Sequence, residues 1–288
     1  METGNKPPSI SSLIKQEFHF KPDNEAELNT SQLRSVVDIS RNRIQILKTS
    51  DSLKAVEMIS FKFPYCVDDE RWIHFLEVFI NSGEYRNLVK DTEISHSISD
   101  PQVAVVPKSL FSDEYKEGLF NFTDASKQIR CIVKQDLEQL DAIGQFAIPK
   151  KLKAILDSSV TNSYLTWLNK ITATPKSVYV NLLIWQNRFA LVVSKEGKLL
   201  FSNWFSSSKA EDVLYFLMAT LEGLNILHTE VSVVLNGQVE KNNDLHLLLG
   251  KYISKLSFAT LPTTLKYSYS FKELPTHRYP LVFHAACA

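Results

Sequence analysis

Glycine is scarce, eight in 288 residues, and no glycines fall at a spacing that cradles phosphate. GxxxxGK[ST], GxGxxG and GxSxG are all missing, which leaves P-loop, dinucleotide and serine-elbow chemistry without a basis. Cysteine is scarcer: Cys66, Cys131 and Cys287 are odd in number and far apart, with no CxxC pair. That pattern argues against a disulfide frame or zinc site and points to free thiols in a reducing compartment, so a cytoplasmic protein is expected. Net charge is absent as well. Lys+Arg 32 cancels Asp+Glu 32, so no overall field draws in nucleic acid or acidic lipid, and no nucleic-acid partner is expected. The seven histidines show neither HxH nor HExxH spacing, and no metal is expected. Apolar runs are interrupted by Asn187-Arg188 or by Glu222 before they reach spanning length, and METGNKPPSISSLIK lacks the layout of a signal peptide. No membrane span is expected.

What is present is globular: 44% hydrophobic and 22% charged residues, in a length suited to one large or two mid-sized domains. The most informative stretch is Ser177 to Gly237. Val178 to Ile184, Phe189 to Val193 and Leu199 to Phe205 are apolar, β-branched and aromatic runs separated by polar turns, which predicts a three-stranded meander. Ser208 with Glu211 reads as a capping box, Leu214, Leu217, Leu221 and Leu224 recur at helical spacing, and Val231 to Leu235 reads as a buried strand ending at Asn236-Gly237. Strand, strand, strand, helix, strand predicts an α/β layer of ribonuclease H-like type.

The first half repeats the order. Leu33 to Ile39, Ile44 to Lys48 and Leu53 to Phe63 predict three strands, Asp68 to Ile80 a helix closed by Gly83, and Val103 to Val106 the following strand. Asn42-Arg43 and Asn187-Arg188 occupy the same place in the two meanders, 145 positions apart (187 − 42). Two duplicated βββαβ-type lobes, 1–172 and 173–288, are therefore expected, divided at Thr172 to Lys176 with a cleft between them. The later elements are read as a helix over Leu245 to Leu256, strands over Phe258 to Leu261 and Tyr267 to Phe271, and a last helical turn over Pro280 to Ala286.

The Asp38-Ile39-Ser40-Arg41-Asn42 hairpin, the EGKLLFSNWF strand and the ELPTHRYPLVFHAACA ending resemble a bacterial family of unknown function, DUF3822 from Bacteroidetes. The resemblance implies the actin-like ATPase fold, near the pilus-assembly actin homologues. Nucleotide-binding members of that superfamily carry an Asp-x-Gly hairpin in each half and a glycine turn against adenosine. Here Asp38 keeps the aspartate, Ser40 replaces its glycine, Leu183 and Trp185 stand at the second pair, and one glycine remains in Asn236-Gly237-Gln238. A side chain at the glycine positions blocks close approach of phosphate to the backbone.

The sequence thus predicts a non-hydrolysing binding or scaffold module with an unidentified protein partner, no cofactor and no catalytic residue. The alternative is an ATP/Mg-binding ATPase or regulator whose cofactor contacts would be Asp38, Ser40, Arg41, Asn42, Asn187, Arg188, Asn236 and Gly237. A third reading is a two-metal nuclease built on Asp38, Glu57, Asp100 and Asp136. Arg41, Arg43 and Arg188 are candidates for gripping an anion, and Trp185 for filling the phosphate pocket or anchoring a partner.

Overall fold

The computed structural model describes residues 10–21, 32–115, 130–156, 159–171, 177–267 and 269–288. The boundary expected over 172–176 lies outside the described residues. The first half runs α1 (Ile10–Leu13), β1 (Lys15–Phe20), β2 (Leu33–Ile39), β3 (Arg43–Ser50), β4 (Lys54–Lys62), α2 (Asp69–Ile80), α3 (Gly83–Leu88), β5 (Thr92–Ile98), β6 (Val103–Pro107), β7 (Arg130–Leu137), β8 (Ala142–Pro149), α4 (Lys150–Leu156), β9 (Val160–Asn162) and α5 (Ser163–Ile171). The second runs β10 (Val178–Trp185), β11 (Arg188–Lys195), β12 (Lys198–Ser206), α6 (Ala210–Gly223), β13 (Val231–Gly237), α7 (Asp244–Gly250), β14 (Lys255–Phe258), β15 (Lys266–Tyr267) and α8 (Pro280–Ala285).

Three sheets result: β1-β4-β3-β2-β5-β9 with β15 beside β4, β12-β11-β10-β13-β14, and a small β6-β8-β7 sheet. The two large sheets share one pattern, a three-stranded antiparallel meander followed by two parallel strands. Register preserves the sequence offset. Ile39 faces Ile44 across the first hairpin and Ile184 faces Phe189 across the second, both pairs 145 apart (184 − 39, 189 − 44).

Each large sheet is buried on both faces, and side-chain alternation sorts its residues between two cores. On the first sheet, Val37, Ile39, Ile46, Ile59 and Phe61 pack with Trp72, Phe75 and Phe79 of α2. Val36, Leu47 and Met58 point the other way, onto Phe271, Val282 and Phe283 near the C-terminus. On the second sheet, Val180, Leu182, Phe189 and Leu191 meet Val213, Leu217 and Leu221 of α6. Its opposite face presents Leu183, Ala190 and Val192 to Tyr164, Trp167 and Leu168 of α5, with Leu281 of α8 in the same cluster. Thus α8 touches both sheets. The aromatic crowd of the second half divides accordingly: Trp167 is fully buried, whereas Tyr215 is 67% exposed.

Several expectations are corrected. The parallel strand after the first helix is β5, not Val103–Val106, which lies in the small sheet. Its sequence, TEISHSI, reads as polar, yet His96 and Ser97 are buried. Local hydrogen bonds compensate, including Thr92 Oγ1 donating to Ser35 Oγ at 2.8 Å. Gly83 opens α3 instead of closing α2, because Ser82 Oγ accepts from Tyr85 N and caps a new helix. At α6 the cap is Asp212, whose carboxylate accepts from Ser208 N (2.8 Å), Ser208 Oγ (3.1 Å) and Lys209 N (3.2 Å), in place of a Ser208–Glu211 box. The helix expected to reach Leu256 stops at Gly250, since Lys255–Phe258 pairs with β13. Tyr269–Glu273 is a 3₁₀ turn, not a strand.

Candidate functional site

The two hairpins, residues 40–42 between β2 and β3 and residues 186–187 between β10 and β11, face one another where the lobes meet. Asp38 sits one pair before the first hairpin, opposite Gln45 on β3. It is almost fully buried, and Ser99 Oγ donates to its Oδ2 at 2.6 Å. Ser99 in turn is 2.7 Å from Ser163 Oγ at the start of α5, so the carboxyl ties three elements together. Burial outweighs these hydroxyls and pushes the Asp38 carboxyl up to about 6. Its Oδ1 has no hydrogen-bond partner in the structure, and neither has Gln45 Nε2.

Ser40 holds the hairpin rather than opening it. Its N–H and Oγ both donate to Arg43 O (2.9 and 3.2 Å), and its carbonyl accepts from Trp72 Nε1 at 2.9 Å. Arg41 does not project into the cleft as a free cation. Arg41 Nη1 is 2.7 Å from Asp69 Oδ1, its guanidinium lies 4.2 Å over the Trp72 ring, and Asp100 is 3.7 Å away. Arg130 closes the cluster by pairing with Asp69 at 3.1 Å. Burial raises the Asp100 carboxyl above its ordinary range in spite of these arginines. Arg43 is likewise paired, 2.8 Å from Glu17. Of the three arginines proposed to grip an anion, only Arg188 is exposed with no acid partner among the described residues.

On the second lobe, Asn236 turns inward: its Nδ2 donates to Asn181 Oδ1 (3.4 Å) and Val234 O (3.3 Å). Gly237 has φ +81°, and a Cβ there would lie 2.1 Å from Ile184 O. The requirement for glycine is therefore explained by the close approach of β13 to β10. Asp38, Ser40, Trp185 and Gly237 line one cavity of about 30 Å³. Ser40, Arg41, Trp185, Asn187 and Arg188 line a second of about 40 Å³. Spaces of this size take one or a few waters, whereas small-molecule sites run to about 300–1,000 Å³. Asn42 lines neither but borders a polar hollow of about 410 Å³ with Arg43, Lys62, Gln186, Gln238 and Arg278.

The four carboxylates of the nuclease reading do not converge. Glu57 pairs with His19 and Lys48, both at 2.6 Å. Asp136 pairs with Lys108 at 2.8 Å in the small sheet, away from Asp38 and its serines. Among the described residues no group of three or more His, Cys, Asp or Glu could hold a metal ion. Asp69, Ser99, Arg130 and Ser163, which build the buried network, were not foreseen, because their partners are distant in sequence. The largest cleft was missed too. It measures about 790 Å³ and lies between β12 and the small sheet. Among the described residues no helix is long and apolar enough to cross a membrane.

Comparison with known proteins agrees with this architecture. Residues 23–256 match the model of the family described as protein of unknown function, DUF3822. No curated protein matches the chain in sequence. Among solved structures, a Bacteroides thetaiotaomicron protein with actin-like ATPase fold and unknown function superposes with TM-score 0.67 at 15% identity, over 86% of this chain and 97% of that one. The PilM-PilN type IV pilus biogenesis complex gives TM-score 0.59 at 12% identity, over 90% of this chain and 98% of that one. The fold is the actin-like ATPase fold.

Proposed function

The chain belongs to the DUF3822 family, and we propose that this member is a non-hydrolysing binding module that keeps the actin-like shell and has given up its reaction. The observation that carries the reading is the filled space between the hairpins. Trp185 borders both inter-hairpin cavities, of about 30 and 40 Å³, and Ser40 stands where a phosphate would need bare backbone. A triphosphate does not fit such volumes. A buried Asp38 that holds its proton to about pH 6 is also a poor ligand for magnesium. Its partner would be a protein, as PilM, of the same fold, stands in a complex with PilN. A cytoplasmic setting would keep its three free cysteines reduced.

The second reading, a nucleotide-binding regulator, is favoured by the polar hollow of about 410 Å³ beside Asn42, which contains Lys62 and Arg278. Thermal melts and calorimetry with ATP, GTP and magnesium separate the two. A ligand present at 100 times its Kd stabilises by about 2.7 kcal/mol. With millimolar nucleotide the expected shift in Tm is below about 1 °C. A saturable rise in Tm with measurable turnover, both lost in Asp38→Ala, would overturn the binding-module reading.

A further inference from the structure

The second sheet ends on β12, whose one paired neighbour is β11. No backbone group on its outer edge bonds to another segment. The amide of Trp204 donates to the side chain of its own neighbour, Asn203 Oδ1, at 2.9 Å. Amides two residues apart point to the same side, so the Ser202 amide faces outward with it. The register shift in the β11–β12 ladder lies between Val193 and Ser194, near the Lys198 end, and Phe201 to Ser206 is regular. A free, regular edge of this kind is a template for another strand.

This edge forms a wall of the 790 Å³ cleft, and the two walls are built differently. From β12 every residue between Lys198 and Trp204 lines it, so the strand is seen edge-on. From β6 only Val103, Val105 and Pro107 line it, so that strand is seen face-on. A segment laid along β12 would therefore turn alternate side chains onto Val103, Val105 and Leu140 and the others to water. Charge marks its ends. Register places Lys198 beside Lys195 at the start of β12, and Arg188 beside Ser206 at its finish. Arg188 and Lys198 are exposed and have no acid partner. Asp141, the acidic lining residue, is on the opposite wall, close enough to Lys108 to help hold its ammonium charged.

We propose that this cleft takes an extended segment of a partner protein as a sixth strand on the second sheet, apolar at alternate positions and acidic at both ends. The backbone ladder would supply affinity, the Val103–Val105 wall the choice of apolar residues, and Arg188 and Lys198 the register. The inference names the partner chemistry of the binding-module reading and rests on it.

The test is fluorescence anisotropy of the full chain with an array of labelled peptides of about ten residues. They carry Val, Ile, Leu or Phe at alternate positions and Asp or Glu at both ends, with Lys-ended and scrambled controls. Acid-ended peptides are expected to bind with Kd of about 10–100 µM, and Lys-ended ones at least tenfold more weakly. Ser202→Pro removes one outward amide and is expected to abolish binding. The double variant Arg188→Glu, Lys198→Glu is expected to weaken it about tenfold and to invert the preference for end charge, and it decides the matter if Ser202→Pro does not fold. Equal binding of acid-ended and control peptides, or binding that survives both variants, overturns the proposal. So does self-association that competes with the peptide, because a second copy then occupies the edge. ATP and magnesium are run on the same plates. Absence of peptide binding with no nucleotide effect removes the strand site alone, whereas nucleotide turnover removes the binding-module reading.

Discussion

Replacing Gly237 by alanine is expected to destabilise the protein by at least about 4 kcal/mol, a large part of the 5–15 kcal/mol that holds a typical domain together. Two costs combine. At φ +81° an L-residue costs about 1–3 kcal/mol. The added Cβ would also stand 2.1 Å from Ile184 O, a backbone atom that cannot swing aside. Relieving the clash means parting β13 from β10 and breaking the 2.8 Å bond from Gln238 N to Ile184 O. Gly223, at the end of α6, is the control, because a Cβ there meets nothing within 4 Å. Gly223→Ala should leave stability unchanged or raise it by up to about 1 kcal/mol. Urea unfolding of the two variants checks the pair, and equal midpoints would contradict the packing role given to Gly237.

Asp38→Asn is expected to stabilise the protein by about 2 kcal/mol at pH 7.5 and to change little below pH 4. The carboxyl is raised from 3.8 to about 6 by burial. Between those values the folded chain keeps a proton that the unfolded chain has lost. Wild-type stability therefore falls as pH rises through that window and stays lower above it, by about 3 kcal/mol if the whole shift is expressed. Asparagine keeps an acceptor for Ser99 and has no charge to lose. Unfolding midpoints for both proteins at pH 4, 5, 6 and 7.5 give the difference, in which the contributions of Glu57 and Asp100 cancel. If the gap does not widen between pH 4 and 7, burial is not what Asp38 suffers.

The meanders were legible because their residues alternate between two dry faces, and that pattern survives without knowledge of topology. The 145-residue offset was legible for the same reason: turn length fixes register, and both hairpins return Ile to its partner after four intervening residues. β5 was not, because its interior is made of hydroxyls and an imidazole that become acceptable only once β2 and β9 flank them. The site was half legible. Asp38, Ser40 and Gly237 were singled out as contacts for a nucleotide, and each has a local task instead: a carboxyl held by Ser99, a hairpin latched to Trp72, and a strand end in tight contact. Arg41 looked like a free cation because Asp69, its counterion, sits on a helix that only tertiary packing brings over the hairpin. The edge of β12 could not be read at all, since whether a strand is central or terminal depends on what the remaining chain leaves beside it.

The C-terminal residues lie against the first sheet: Leu265, Phe271, Leu274, Val282 and Phe283 cover Val36, Leu47 and Met58. On a ribosome, which delivers the chain from its N-terminus, that sheet stays greasy on one side until the second lobe and the last turns have been made. Its maturation is thus a late, posttranslational event. A message cut short before codon 265 would yield a lobe with an open apolar face, a product suited to chaperone capture and proteolysis more than to any residual task.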